Sequence, residues 1–301
     1  MIEFDMIKFD SSDMFLDGLM EDGRFSHLDE ADSGYPSALV YCQNLNFLRL
    51  ASDNPNVSAI ITTPALAVEP INGSRLLVIA DDPRFAYFTL YAAMQAKGQN
   101  QPKMAFGIGK DCQIHPSATV SSKSLIGDRV EIGAGVVIED FVQIKNDVYI
   151  GPNAVIGADG LITLRHGDGS LLKIKHAGSV VIGSGVDILA GAVVAKSLFQ
   201  TPTTIGDHCQ IGIMATVGHG VVIGEQSVIS GNCVIAGRTK LGPKVWMGAS
   251  SSVAQGLVIG EGAEVKMGSV VVSDIAPGAV VSGNFAVSHK QTMKQFLRSS
   301  V

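Results

Sequence analysis

IGDHCQIGIMATVGHGVVIGEQSVISGNCVIAGRTKL, residues 205–241, carries an aliphatic residue at every sixth position: Ile205, Ile211, Val217, Ile223, Ile229, Ile235 and Leu241. Downstream the period continues through Met247, Val253, Ile259, Val265 and Val271. Upstream it runs through Ile182, Ile188 and Val194, and before that from Ile114 through Val120, Ile126, Ile132, Ile138, Ile144, Ile150 and Ile156 to Ile162. That makes 24 positions. Glycine often follows the aliphatic residue, as at Gly127, Gly133, Gly206, Gly212, Gly218 and Gly224, and a small or β-branched residue often stands four places after it, as at Val130, Val136 and Ala154.

Each hexad reads as a short strand and a corner, with the aliphatic side chain inward and glycine leaving room at the bend. Three hexads close a triangular coil of 18 residues. The pattern predicts a left-handed parallel β-helix over residues 114 to about 285, with about eight coils and a length of roughly 38 Å at the ordinary strand spacing. A β-sandwich has no reason to hold such a period.

Two stretches break the repeat: TLRHGDGSLLKIKHAGS (163–179) and AKSLFQTPTT (195–204). In a solenoid, inserted residues leave as loops while the coils stay stacked, and loops on a rigid frame are where clefts form.

Residues 1–106 lack the period. SALVYC (37–42), SAIITTP (58–64) and SRLLVIAD (74–81) read as short strands. Asp82-Pro83 opens a helix that should end at Gly98. The expected division is a small α/β domain at 1–106, joined through QNQPK (99–103), a β-helix domain at 107–286 and a short basic helix at 287–301 with Lys290, Lys294 and Arg298 at four-residue spacing.

Composition narrows the function classes. The 301 residues are 46% hydrophobic and 17% charged, with 34 glycines and a net charge of -6, which argues against a nucleic-acid binder. The four cysteines, at 42, 112, 209 and 233, form no CxxC pair, so no zinc or redox motif is indicated and a reducing compartment fits. His208 and His219 do not have a metal-site spacing either. No segment approaches 18 continuous apolar residues, so the expectation is a cytoplasmic protein with no transmembrane segment.

Several local signatures together resemble the UDP-3-O-acylglucosamine N-acyltransferase family of lipid A synthesis. In ATVGHGVVIG (215–224), His219 stands where that family's Gln-Ile-Ala-His-Asn-Val motif has its catalytic histidine. The resemblance implies acyl transfer from an acyl carrier protein (on its 4′-phosphopantetheine) or an acyl-CoA thioester to the amine of a UDP-linked amino sugar. It also implies a homotrimer with sites between subunits and no permanently bound cofactor. Histidine titrates near neutrality and suits the role of general base. Backbone N–H groups of Gly220 or Gly237 are candidate oxyanion donors. Tyr41, Asn44 and Phe47 match a family run whose aromatics hold uracil; as bare residues, Tyr41 and Phe47 read equally as core. KIKHAGSVVIG (173–183) resembles a family loop ending Lys-Ile-Pro-Gln or Lys-Ile-Pro-His, making Lys173, Lys175 and His176 candidate sugar and phosphate contacts.

The chain departs from the family at several positions. The Asp seven residues before the catalytic histidine is Gly212, the second family histidine falls on Gly256, a middle Asp-Arg pair becomes Ala195-Lys196, and the Asn after the histidine becomes Gly220. Gln255, two coils after His219, is a candidate substrate contact, and a carboxylate such as Asp207, or one from a neighbouring subunit, is a candidate to orient His219. The shorter C-terminal segment keeps an acyl-CoA donor open beside the carrier protein. The alternatives are a short-chain, CoA-dependent acyltransferase acting on a surface-polysaccharide amino sugar, an O-acyltransferase, and a non-catalytic repeat protein.

Overall fold

The computed structural model describes residues 24–73, 76–98, 101–165, 169–283 and 288, together with short strands at 7–8 and 18–19. The expected C-terminal helix at 287–301 lies outside the described residues, Ser288 apart.

From Gly107 to Val281 the chain winds as a parallel β-helix with three flat faces. Face one stacks eight strands from Gly107–Ile108 to Val258–Ile259, face two stacks nine from Gln113–Ile114 to Val280–Val281, and face three stacks eight from Thr119–Val120 to Val270–Val271. The register follows the hexads. Ile132 pairs with Ile150, which pairs with Ile188, then Ile211, Ile229 and Met247. Each coil thus sets its aliphatic side chain on the equivalent one before it. The resulting column is continuous and buried, from Ile126 to Ile275. Small residues, among them Ala154, Ala192, Cys209, Ala215 and Cys233, fill the second inward position of each hexad, where the triangle narrows.

The glycines after the aliphatic residues serve close stacking. A Cβ at Gly206 would meet the backbone nitrogen of Glu225 at 2.6 Å, and one at Gly212 that of Gly231 at 2.5 Å. Left-handed backbone falls two residues later in the corner. It is often carried there by residues other than glycine, such as His208 (φ 59°), Met214 (φ 55°) and Arg238 (φ 64°).

Both interruptions leave at one corner, between faces three and one. The first holds an antiparallel hairpin, Ile162–Arg165 with Leu171–Ile174. The second is the loop between Val193–Ala195 and Thr203–Ile205. Ile144 nevertheless pairs with Ile182 and Ile182 with Ile205, so the coils close beneath the insertions as if they were absent.

The N-terminal region is a small α/β layer. Strands β1 (Gly18–Leu19), β2 (His27–Leu28), β3 (Ala38–Cys42), β4 (Val57–Thr62) and β5 (Leu76–Ile79) form one sheet in the order β1-β5-β4-β3-β2, parallel except for β1. Helix α1 (Leu45–Asp53), which the pattern did not reveal, follows β3. Helix α2 (Pro83–Ala96) starts as expected, with the Asp82 side chain accepting from the Phe85 amide at 2.9 Å and Pro83 in the first turn.

α2 lies against the insertions. Tyr87, Phe88 and Tyr91 pack on Phe199, with ring centroids 5.8–6.4 Å apart, and share a core with Leu164, Ile174, Ala177 and Leu198. The Tyr91 hydroxyl donates to the Leu198 carbonyl at 2.6 Å and accepts from the Ala177 amide at 2.8 Å. One phenol thus ties both inserted segments to α2, and the core crosses the boundary expected at residue 106.

Removing an inward aliphatic should open a cavity that the rigid stack cannot close. Ile229→Ala is expected to cost about 2–5 kcal/mol. Val234→Ala, at an outward position 44% exposed, is expected to cost less than about 1 kcal/mol. Denaturant unfolding of the two variants side by side measures the contrast.

Candidate active site

The corner that releases both insertions also carries His219. It stands two residues after the inward Val217, and the 18-residue coil places Gly237 and then Gln255 at the same position. The next column reads Gly220, Arg238, Gly256; a Cβ at Gly220 would lie 3.5 Å from the Arg238 side chain. At roughly 4.8 Å per coil, Gln255 is about 10 Å from His219. It therefore lines the cleft with His219 rather than bonding to it.

The cleft, about 890 Å³, runs between this corner and the N-terminal region. His219, Gly220, Arg238, Lys240 and Gln255 form one wall; Asp29, Glu30, Ser33 and Tyr35 form the other. It continues into a space of about 260 Å³ bounded by Tyr41, Arg84, Phe88 and Leu161, with Glu30, His219, Arg238 and Gln255 again on its walls. The larger volume suits a small-molecule site.

The His219 ring is half-buried, and its side chain makes no hydrogen bond among the described residues. Burial, and then the Arg238 charge, hold its pKa below the ordinary 6.5, so at neutral pH it is an uncharged base. A Cβ on Gly237 would fall 2.5 Å from its Nε2 and 2.8 Å from Cδ2 and Cε1. Glycine there is what admits the ring.

Glu30 and Arg238 were missed by the sequence reading. The Arg238 guanidinium meets the Glu30 carboxylate at 2.5 Å across the cleft. Burial is the main cause that raises the Glu30 pKa to about 7; Asp32 and Asp29 add to the rise, while Arg238 opposes it. The coil period alone places Arg238 beside His219. Glu30 comes from an aperiodic segment, and no spacing points to it.

The other candidate residues divide among several places. Tyr41 packs on Tyr87 and Phe88, at 5.0 and 5.9 Å, and lines the narrow end of the cleft. Asn44 caps α1, its side chain accepting from the Phe47 amide at 3.0 Å, and Phe47 is half exposed on that helix. Neither Asn44 nor Phe47 lines the cleft. Gly220 donates its N–H to the Thr203 hydroxyl at 2.8 Å, so that N–H is already engaged. The Gly237 N–H has no partner among the described residues. Asp207 does not orient His219. It lies at the corner between faces one and two, accepting from the Ser184 amide at 2.8 Å and from Lys145 at 3.3 Å. His208 shares that distant corner with Asp207.

Lys173, Lys175 and His176 line a separate cavity of about 590 Å³, with Tyr91, Gln95, Asp140, Asp159 and Lys196. Lys173 and Lys175 are exposed, while Lys196 pairs with Asp159 at 3.2 Å. His176 is buried, and its Nδ1 accepts from the Gly160 amide. Its ring lies 5.2 Å from that of His219, inclined by 31°. Burial first, then the facing His219 and Lys196, push its pKa down to about 4 against a weaker pull from Asp159.

A histidine with a depressed folded-state pKa binds fewer protons than the unfolded chain between pH 4 and 6.5. Its stabilising effect is complete above pH 6.5 and is lost as pH falls toward 4. The loss is on the order of 3 kcal/mol. Denaturant unfolding at pH 7 and pH 4.5 should therefore show a smaller drop for His176→Gln than for the unmodified chain.

Among known proteins, the bacterial transferase hexapeptide model (six repeats) matches residues 107–140 and 202–237. UDP-3-O-acylglucosamine N-acyltransferase 2 of Legionella pneumophila is 35% identical over 160 residues, covering 52% of this chain and 46% of that one. The UDP-3-O-acylglucosamine N-acyltransferase of Coxiella burnetii is 30% identical over 211 residues, covering 60% of each. The chain thus matches about half to three fifths of the length of these relatives. Among solved structures, UDP-N-acetylglucosamine acyltransferase from Campylobacter jejuni aligns with a TM-score of 0.46 at 25% identity, over 57% of this chain and 72% of that one. The chain therefore carries bacterial transferase hexapeptide repeats and is similar in sequence to UDP-3-O-acylglucosamine N-acyltransferases over part of its length.

Proposed function

We propose that the chain transfers an acyl group from a thioester to the amine of a UDP-linked amino sugar, with His219 as general base. One observation carries this reading. His219 is an uncharged, otherwise unbonded imidazole on the wall of the cleft between the coils and the N-terminal layer. Names of relatives that act on nucleotide-linked glucosamine support the substrate class.

The chemistry follows from the groups present. The amine nitrogen attacks the thioester carbonyl and forms the N–C bond, and His219 takes the proton that nitrogen must shed. The oxyanion of the tetrahedral intermediate is a target for the unpaired Gly237 N–H. Collapse breaks the C–S bond, and the imidazolium returns its proton to the departing sulfur. No covalent enzyme intermediate is needed.

In the same reading, the nucleotide lies toward the narrow end of the cleft. Tyr41 lines that end, and Arg84 and Arg238 offer charge to the phosphates. Lys173 and Lys175, in the neighbouring cavity, suit the anionic end of the second substrate. The donor is an acyl carrier protein or coenzyme A thioester, and the assembly is a homotrimer. Among the described residues no helix is long and apolar enough to cross a membrane.

A thiol-release assay across amino-sugar nucleotides, with acyl carrier protein and acyl-CoA donors, tests the reading. Turnover is expected with a UDP-linked amino sugar. His219→Ala is expected to lower kcat by about 10²–10⁴-fold while leaving the fold intact. Turnover that His219→Ala leaves unchanged would overturn the assignment of the base.

A further inference from the structure

His219 presents a mechanical question that the proposed function leaves open. A general base must hold one nitrogen toward the reacting amine, and a few tenths of an ångström matter. The bond from a neighbouring group that usually sets a histidine's tautomer and ring angle is absent here among the described residues. What surrounds the ring is Gly237, whose missing side chain admits it, and the ring of His176, 5.2 Å away and inclined by 31°.

His176 has the properties of a fixed wall. It is 4% exposed and sits on the inserted segment that Tyr91 ties to α2 through the Ala177 amide. The Gly160 amide donates to its Nδ1, so its own proton resides on Nε2, which is buried with no hydrogen-bond partner. A Cβ on Gly160 would lie 2.3 Å from its Cε1, so the ring is gripped by backbone on that side. The charged groups that bear on the pair are Asp159 and Lys196 beside His176, and Arg238 beside His219.

We propose that His176 is a positioning residue for acyl transfer: its immobile, neutral ring packs on that of His219 and holds the base in one orientation. This deepens the reading of His219 as the base and rests on it. The ring contact brings together two residues 43 apart in sequence, and the first insertion is what delivers His176 to the corner. The insertion is thereby part of the machinery and not only a seat for α2. Because His176 stays neutral, the proton taken from the amine resides on His219 alone and remains available to the leaving sulfur.

Two substitutions separate the ring from its anchor. His176→Gln can still accept from the Gly160 amide but has no ring, while His176→Phe keeps a ring without the acceptor. His176→Gln is expected to lower kcat about tenfold or more with KM for the amino sugar within about twofold, and His176→Phe to recover most of the loss. The substrate-free readout is imidazole ¹⁵N NMR of His219 in the full chain. Unmodified protein should show one dominant tautomer, ring-to-ring NOEs to His176 and a titration below pH 6.5. His176→Gln should show mixed tautomers and a titration moved toward 6.5. Absent NOEs in the unmodified chain, or an unchanged His219 tautomer and titration in His176→Gln, would overturn the proposal. The NMR change without turnover on any substrate would instead refute the acyl-transfer reading and leave the ring contact standing.

Discussion

The column of inward aliphatic side chains constrains everything else in this protein. Each coil must set its Ile or Val over that of the coil before, because the triangular interior has no room for an alternative register. Neighbouring strands pair in parallel at every level, and a shift of one residue would turn the inward residue out. The cost of disorder in the column explains why 20 extra residues between Ile150 and Ile188, beyond one coil, leave the pairing of those two residues untouched. Inserted chain has one exit, a corner, and here both insertions take the same one.

That coincidence builds the site. A smooth prism offers flat faces and shallow edges, neither of which encloses a substrate. The hairpin and the loop at one corner give α2 something to pack against, and the aromatic group of Tyr87, Phe88, Tyr91 and Phe199 fastens the layer there. The N-terminal layer then overhangs the corner and brings Glu30 across to Arg238. A cleft results in which half-burial lowers the basicity of His219 and raises the pKa of Glu30 by the same physical effect, the poor solvation of charge.

How much of this could be read beforehand depends on which force placed each residue. The hexads were legible because burial repeats every six residues, and the strands and α2 of the N-terminal layer were legible from their boundaries. Helix α1 was not: Leu45, Leu48 and Ala51 do recur at helical spacing, but its nine residues are fewer than the window over which a helical period stands out. Column positions were also available in principle: Arg238 follows from adding 18 to Gly220. Asp207 could have been set aside by the same rule, since 12 residues from His219 is two thirds of a coil and hence another corner. Glycine after each aliphatic residue was recognised, but its reason, close approach of successive coils, needed the backbone. Glu30 and the contact of His176 with His219 were not legible, because both depend on how aperiodic segments fold over the corner. Motif resemblance pointed to His176 without saying what it touches.

In the proposed reaction the substrate amine meets His219 in the cleft bounded by Glu30, Arg238 and Gln255. The most direct measurement is a crystal structure of the chain soaked with a UDP-linked amino sugar. It should show the amine nitrogen within hydrogen-bond reach of the His219 imidazole and the nucleotide toward Tyr41 and Arg84. A sugar held instead among Lys173, Lys175 and Lys196, with its amine out of reach of His219, would contradict it.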